Sequence, residues 1–219
     1  MSPAPITSPR FGRLLVPAAV SNVVLNHLRG PNPNGTEGWL VTFLAEVERQ
    51  IGVDPQTIAK PKGWEVVSEF TKFDATKLPA VVIAVGEIGG EPMRTGDGEY
   101  SAVFPCAVAV VTGGRTPAET ERNAHAYGAA VRGAMLYHLD MERQLPVQGV
   151  KWIGETYAEI DTTDRRTKGA TMVFFEIRVP DVARDYTGAP LGTTPPVDPY
   201  ASPDAIPTVL TAEFDVETP

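Results

Sequence analysis

Ala80-Val-Val-Ile-Ala-Val-Gly86 and Tyr100-Ser-Ala-Val-Phe-Pro-Cys-Ala-Val-Ala-Val-Val-Thr112, followed by a helical pattern from Thr116, decide how this chain folds. The first run is apolar on both faces, as expected of a strand inside a sheet. Residues 87–99 between the two runs are polar and glycine-rich, and Asp97-Gly98 supplies residues that tolerate positive φ. The pair therefore predicts a strand, a hairpin connection and a second strand. In the second strand Tyr100, Ala102, Phe104, Cys106, Val108 and Val110 share one face. The other face carries Val103, Ala107, Ala109 and Val111, small enough to suggest that a helix packs there. Pro105 cannot donate to a ladder, which predicts a bulge or a free edge at that point.

The helix that follows has a good start. Thr116 caps, Pro117 occupies the first helical position and Glu119 completes a capping box. Its pattern continues to about Asp140, with Ala124, Tyr127, Gly128, Val131, Met135 and Leu139 as the buried stripe. Gly128 costs roughly 1 kcal/mol against alanine in a helix, so it points to a close approach to the sheet.

Upstream, a helix is predicted from Pro17 to the Gly30-Pro31 stop. A second runs from Thr36 to about Gln50, with Trp39, Leu40, Phe43, Leu44 and Val47 at helical spacing. Residues 64–70 suggest a short strand. Downstream, Val150–Ile160 and Ala170–Val179 read as two strands, with Thr171, Val173, Phe175, Ile177 and Val179 turned to the core. Residues 161–168 form a charged hairpin loop between them. The predicted class is α+β: a mostly antiparallel sheet with helices on one face, over residues 1–185.

Residues 186–219 change character. Pro190, Pro195, Pro196, Pro199, Pro203 and Pro207 leave no room for regular structure, yet 208–216 read as a lone strand. The expectation is an extended C-terminal arm that adds a strand to a neighbour, with a disordered tail as the alternative.

The chain has 219 residues, 42% hydrophobic and 21% charged, with a formal net charge of -8, values of a soluble globular protein. From Asp181 onward seven acids face Arg184 alone, so most of the negative excess sits in the arm. No overall basic excess marks a duplex-binding surface. The single cysteine, Cys106, has no intrachain partner and suits a reducing compartment. No apolar run approaches the ~20 residues of a membrane span, and the N-terminus lacks the layout of a signal peptide. A soluble protein, intracellular during its synthesis, is expected.

No catalytic signature stands out in the sequence. His27, His125 and His138 fall outside HExxH and paired Cys/His spacings. His138, Asp140 and Glu142 read as a helix end, and Glu121 with His125 as an i,i+4 surface pair. Gly86-Glu-Ile-Gly89-Gly90 lacks phosphate-loop spacing, Gly113-Gly114 lacks the following Lys-Ser/Thr, and there is no GxSxG elbow. The reading is a non-enzyme with no cofactor and no metal site.

The order and type of several segments resemble the tail terminator proteins of long-tailed bacteriophages of actinobacteria. The resemblance rests on Leu78-Pro79-Ala-Val-Val-Ile83, Asp97-Gly98-Glu-Tyr100, Val108-Ala-Val-Val-Thr-Gly-Gly114 and the helix with Tyr127 and Arg132. Trp152-Ile-Gly-Glu-Thr-Tyr157 and Phe174-Phe-Glu-Ile-Arg-Val179 complete it. It covers roughly residues 12 to 180 and leaves the arm outside. The resemblance implies a structural virion protein: a homohexameric ring at the head-proximal end of the tail tube, in the neck, assembled in the host cytoplasm. Such a ring stops tube growth and meets the head-completion or connector protein, while genomic DNA passes through its lumen without sequence-specific binding. A neutral or acidic lumen suits that passage. Expected contact residues are Glu87, Arg94 and Asp97 in the hairpin connection, Asp161, Asp164, Arg165 and Arg166 in the charged loop, and Leu210 and Phe214 in the arm. Other readings are a different neck or tail ring protein (connector, stopper or tube subunit) and a small enzyme.

Overall fold

The computed structural model describes residues 15–31, 37–67, 77–95, 98–137, 139–160 and 168–184. Helices α1 (Pro17–Arg29) and α2 (Trp39–Ile51) precede β1 (Gly63–Val67), β2 (Ala80–Val85), β3 (Met93–Arg94) and β4 (Glu99–Gly113). Then come α3 (Pro117–Leu136), α4 (Leu139–Gln144), β5 (Gly149–Ile160) and β6 (Lys168–Arg184). The strands form one sheet in the order β1-β2-β4-β6-β5, with β3 added on β4. β1 pairs parallel with β2, and every other pairing is antiparallel. The α+β class is as the sequence predicts. None of the described helices is long and apolar enough to cross a membrane.

β2 lies inside the sheet and is buried along its whole length, which explains its unbroken apolar run. The helices cover one face. There Val81, Ile83, Phe104, Val108, Val110, Val173, Phe175 and Ile177 meet Val24, Leu28, Leu44, Tyr127, Val131 and Met135. The small face of β4 is not the helix-bearing one. Closeness comes instead from the helix: Ala126, Ala130 and Ala134 are buried on α3, against large residues in the sheet. At Gly128 an added Cβ would lie 2.8 Å from the Tyr157 hydroxyl and 2.9 Å from Thr171 Oγ1. A side chain there would displace Tyr157 and Thr171 from their places against the helix.

Pro105 does not cause a bulge. Its register is regular against Glu176, and the irregularity falls between Tyr100 and Ala102. β2 pairs only as far as Val85 with Cys106, and the Pro105 carbonyl accepts from the Gly86 N–H at 2.8 Å. The Pro105 nitrogen therefore faces the β2 side, just past the last β2 pair, and its missing donor leaves the β4–β6 ladder intact. β3, inside the hairpin connection, was not foreseen; two residues are too few for a periodic signal.

Helix ends follow local chemistry. Thr116 Oγ1 accepts from the Glu119 N–H at 3.2 Å, while the Glu119 carboxylate accepts from Arg115 N–H, one residue before the usual capping-box donor. Gly52 closes α2 in the left-handed region, at φ 70. The predicted long helix stops at Leu136, and Leu139 opens α4 instead of ending α3.

Cys106 is buried, and burial pushes its thiol up to about 12. At pH 8 the thiolate is scarce as well as shielded. The native protein is expected to resist a disulfide-exchange reagent and to react fully in denaturant. Rapid reaction of the folded chain would contradict this placement.

Candidate interaction surface at the β5 edge

β5 is one edge of the sheet. Its inner side pairs with β6 from Gly149 opposite Arg178 to Ile160 opposite Lys168. Its outer side has no strand partner among the described residues. Side chains along a strand alternate between faces, so Trp152 and Tyr157 would ordinarily point to opposite sides. A bulge between Trp152 and Gly154 shifts the register by one residue. Trp152 stands opposite Phe175, Glu155 opposite Val173 and Tyr157 opposite Thr171, all on the α3 face.

Those three side chains and α3 form one cluster. Arg132 Nη1 donates to both Glu155 carboxylate oxygens at 2.9 Å. The same guanidinium lies over the Trp152 ring, 4.9 Å from its centroid. The Tyr157 hydroxyl donates to Glu155 Oε1 at 2.8 Å, and the His125 ring meets Tyr157 edge-on at 4.2 Å. The ion pair is only partly covered, with Arg132 33% and Glu155 19% exposed, so its worth lies in orientation more than in net stability.

The outward parts of this cluster are apolar and open. Trp152 is 42% exposed, Ile153 52% and Tyr157 41%. A second apolar group lies where α2 begins and α3 ends. The Trp39 ring meets Tyr137 at a tilt with 4.4 Å between centroids, and Phe43 lies at 6.2 Å from Tyr137, with Leu136 and Tyr137 exposed. Trp, Tyr and Arg beside an unpaired strand edge are the residue types that carry binding energy at protein interfaces.

Partial burial pushes the Tyr157 phenol up to about 12, and the Glu155 carboxylate that accepts its proton adds to the rise. The folded state thus holds this proton more tightly than the unfolded chain, whose tyrosine titrates near 10. Stability from the contact is complete below pH 10 and is lost as pH rises towards 12. Tyr157→Phe is expected to remove one late tyrosinate transition at 295 nm; an unchanged titration would contradict the contact.

Among the described residues no three His, Cys, Asp or Glu side chains come together to hold a metal ion. A hollow between α2 and α3 is lined by Val47, Ile51 and alanines, with Glu121, Arg122 and His125 and no Ser, Cys or Lys nucleophile. His27 is buried in the core with Nε2 at 2.7 Å from the Ala134 carbonyl. Of the contact residues expected from sequence, Glu87 and Arg94 are exposed in the connection between β2 and β4. Asp97, Asp161, Asp164, Arg165, Arg166, Leu210 and Phe214 lie outside the described residues, as does His138. The structure brings together Arg132, Trp152, Glu155 and Tyr157, which sequence reasoning did not select as contact residues. Their signal was an aromatic pair with a glycine between, the mark of a bulged edge strand.

No family model and no curated protein matches the chain. Among solved structures, a chain from the virion of a native gene transfer agent particle is similar to it at 16% sequence identity and a TM-score of 0.37. The match covers 61% of this chain and 91% of that one, and at that score it supports no inference.

Proposed function

We propose that this chain is a structural protein of a phage-like virion, and within that class a tail terminator. Copies form a closed ring, of six by the resemblance, that caps the head-proximal end of the tail tube and joins it to the head-completion complex. The observation that carries this reading is the β5 edge: a long strand, unpaired outward among the described residues, flanked by exposed Trp152, Ile153 and Tyr157. A lone protein exposing such an edge risks uncontrolled pairing, whereas a ring closes it. The segment order quoted from the sequence supplies the choice of a terminator among ring proteins.

The test is tube growth. Purified protein added to polymerising tail tubes is expected to halt elongation and to appear as a ring at one tube end. Tubes that grow to the same lengths with bare ends would overturn the terminator role.

A further inference from the structure

We infer that the outer edge of β5 receives the segment 208–216 of a neighbouring copy as an added strand. The inference builds on the assembly reading and names the contact that would hold copies together. The acceptor is the outer side of β5, twelve residues long and without a strand partner among the described residues. The donor segment reads Thr208-Val-Leu-Thr-Ala-Glu-Phe-Asp-Val216. From Leu210 onward it alternates: Leu210, Ala212, Phe214 and Val216 share one side, and Thr211, Glu213 and Asp215 the other, with Thr208 and Val209 outside the pattern. That is the pattern of a strand with one buried face, a face it cannot cover alone.

The two faces of the acceptor match those two sides. On the α3 face, Trp152 and Tyr157 are exposed and ready to be extended by Leu210 and Phe214. The opposite face of β5 and β6 carries Met172 and Phe174 at its centre, with Lys168 at one end and Lys151, Glu176 and Arg178 at the other, where Lys151 contacts Glu176 at 3.2 Å. An added strand with its apolar side towards Trp152 turns Glu213 and Asp215 to the face that carries Lys151, Lys168 and Arg178. Reversing the strand's faces would put its carboxylates beside Glu155 and take its apolar side away from Trp152 and Tyr157. The connecting residues 186–207 include six prolines. As an extended proline-rich spacer they span up to roughly 65 Å, enough to reach a neighbouring subunit.

Backbone amide hydrogen exchange on the full chain and on a chain lacking 208–219 tests this. In the full chain alternate amides of residues 149–160 are expected to be protected, more so as protein concentration rises. In the truncated chain they are expected to exchange roughly tenfold faster or more, while the core amides of β4 keep their protection. A synthetic peptide of residues 208–216 should restore the β5 protection, and one carrying Leu210→Asp and Phe214→Asp should not. Should truncation unfold the chain, the full-length L210D/F214D variant decides by the same β5 readout. Unchanged β5 exchange without the arm overturns the inference. Protection in a sample that light scattering shows to be monomeric places the arm on its own subunit and overturns it too. Arm exchange in a protein that leaves tube growth untouched would sink the terminator role alone; tube capping by the truncated chain would sink the arm alone.

Discussion

Glu48→Ala is expected to destabilise the fold by about 3 kcal/mol, because it orphans two N–H groups that a buried carboxylate now satisfies. Glu48 is 4% exposed. Its Oε1 accepts from the Ile58 N–H at 2.7 Å and its Oε2 from the Gln56 N–H at 3.0 Å. These bonds fold the chain between α2 and β1 back onto α2, with Gln56 held at φ 67. Ile58, 1% exposed, is carried into the core by the same loop, and Tyr127 donates its hydroxyl to the Ala59 carbonyl beside it. Burial, and then the Glu48 charge, hold the Tyr127 phenol above its ordinary range, so this hydroxyl stays a donor at any working pH. Glu48→Gln keeps one acceptor and sets an NH2 against an N–H; about half the loss is expected. For a chain of this size the alanine variant should melt roughly 10 °C lower. An unchanged urea midpoint would show that the loop is held by something else.

Trp152→Ala should act on assembly instead of folding. The ring is partly exposed and rests on Arg132, so its loss should cost the single subunit little. Truncating a tryptophan at the centre of an interface typically costs at least 2 kcal/mol, or roughly 30-fold in association. Sedimentation at falling concentration should show the variant dissociating well before the native chain, with the same circular dichroism. Coincident dissociation curves would remove Trp152 from the interface and the β5 face from the proposed function.

The legibility of the fold follows from where each signal is local. The unbroken run 80–85 between turn residues pointed to an interior strand, and the capping residues at Thr116–Glu119 pointed to a helix start. The face of β4 that meets the helices was harder to read. Small residues permit close packing from either partner, and here α3 supplied them through Gly128 and its alanines. The end of α3 at Leu136 was missed because Leu139 keeps the helical spacing across the break. The interaction surface was least legible. Trp152, Glu155 and Tyr157 reach one face only through a bulge, which a strict period of two hides. Arg132 joins them from a helix twenty residues earlier in sequence, a tertiary contact that no local pattern encodes.

The central claim is that this chain is built to assemble. Light scattering after gel filtration, with and without purified tail-tube tips, tests it most directly. The account predicts six times the chain mass of 23.5 kDa, either in free solution or on tube ends alone. A 23.5 kDa monomer that ignores tube ends at every concentration would contradict it.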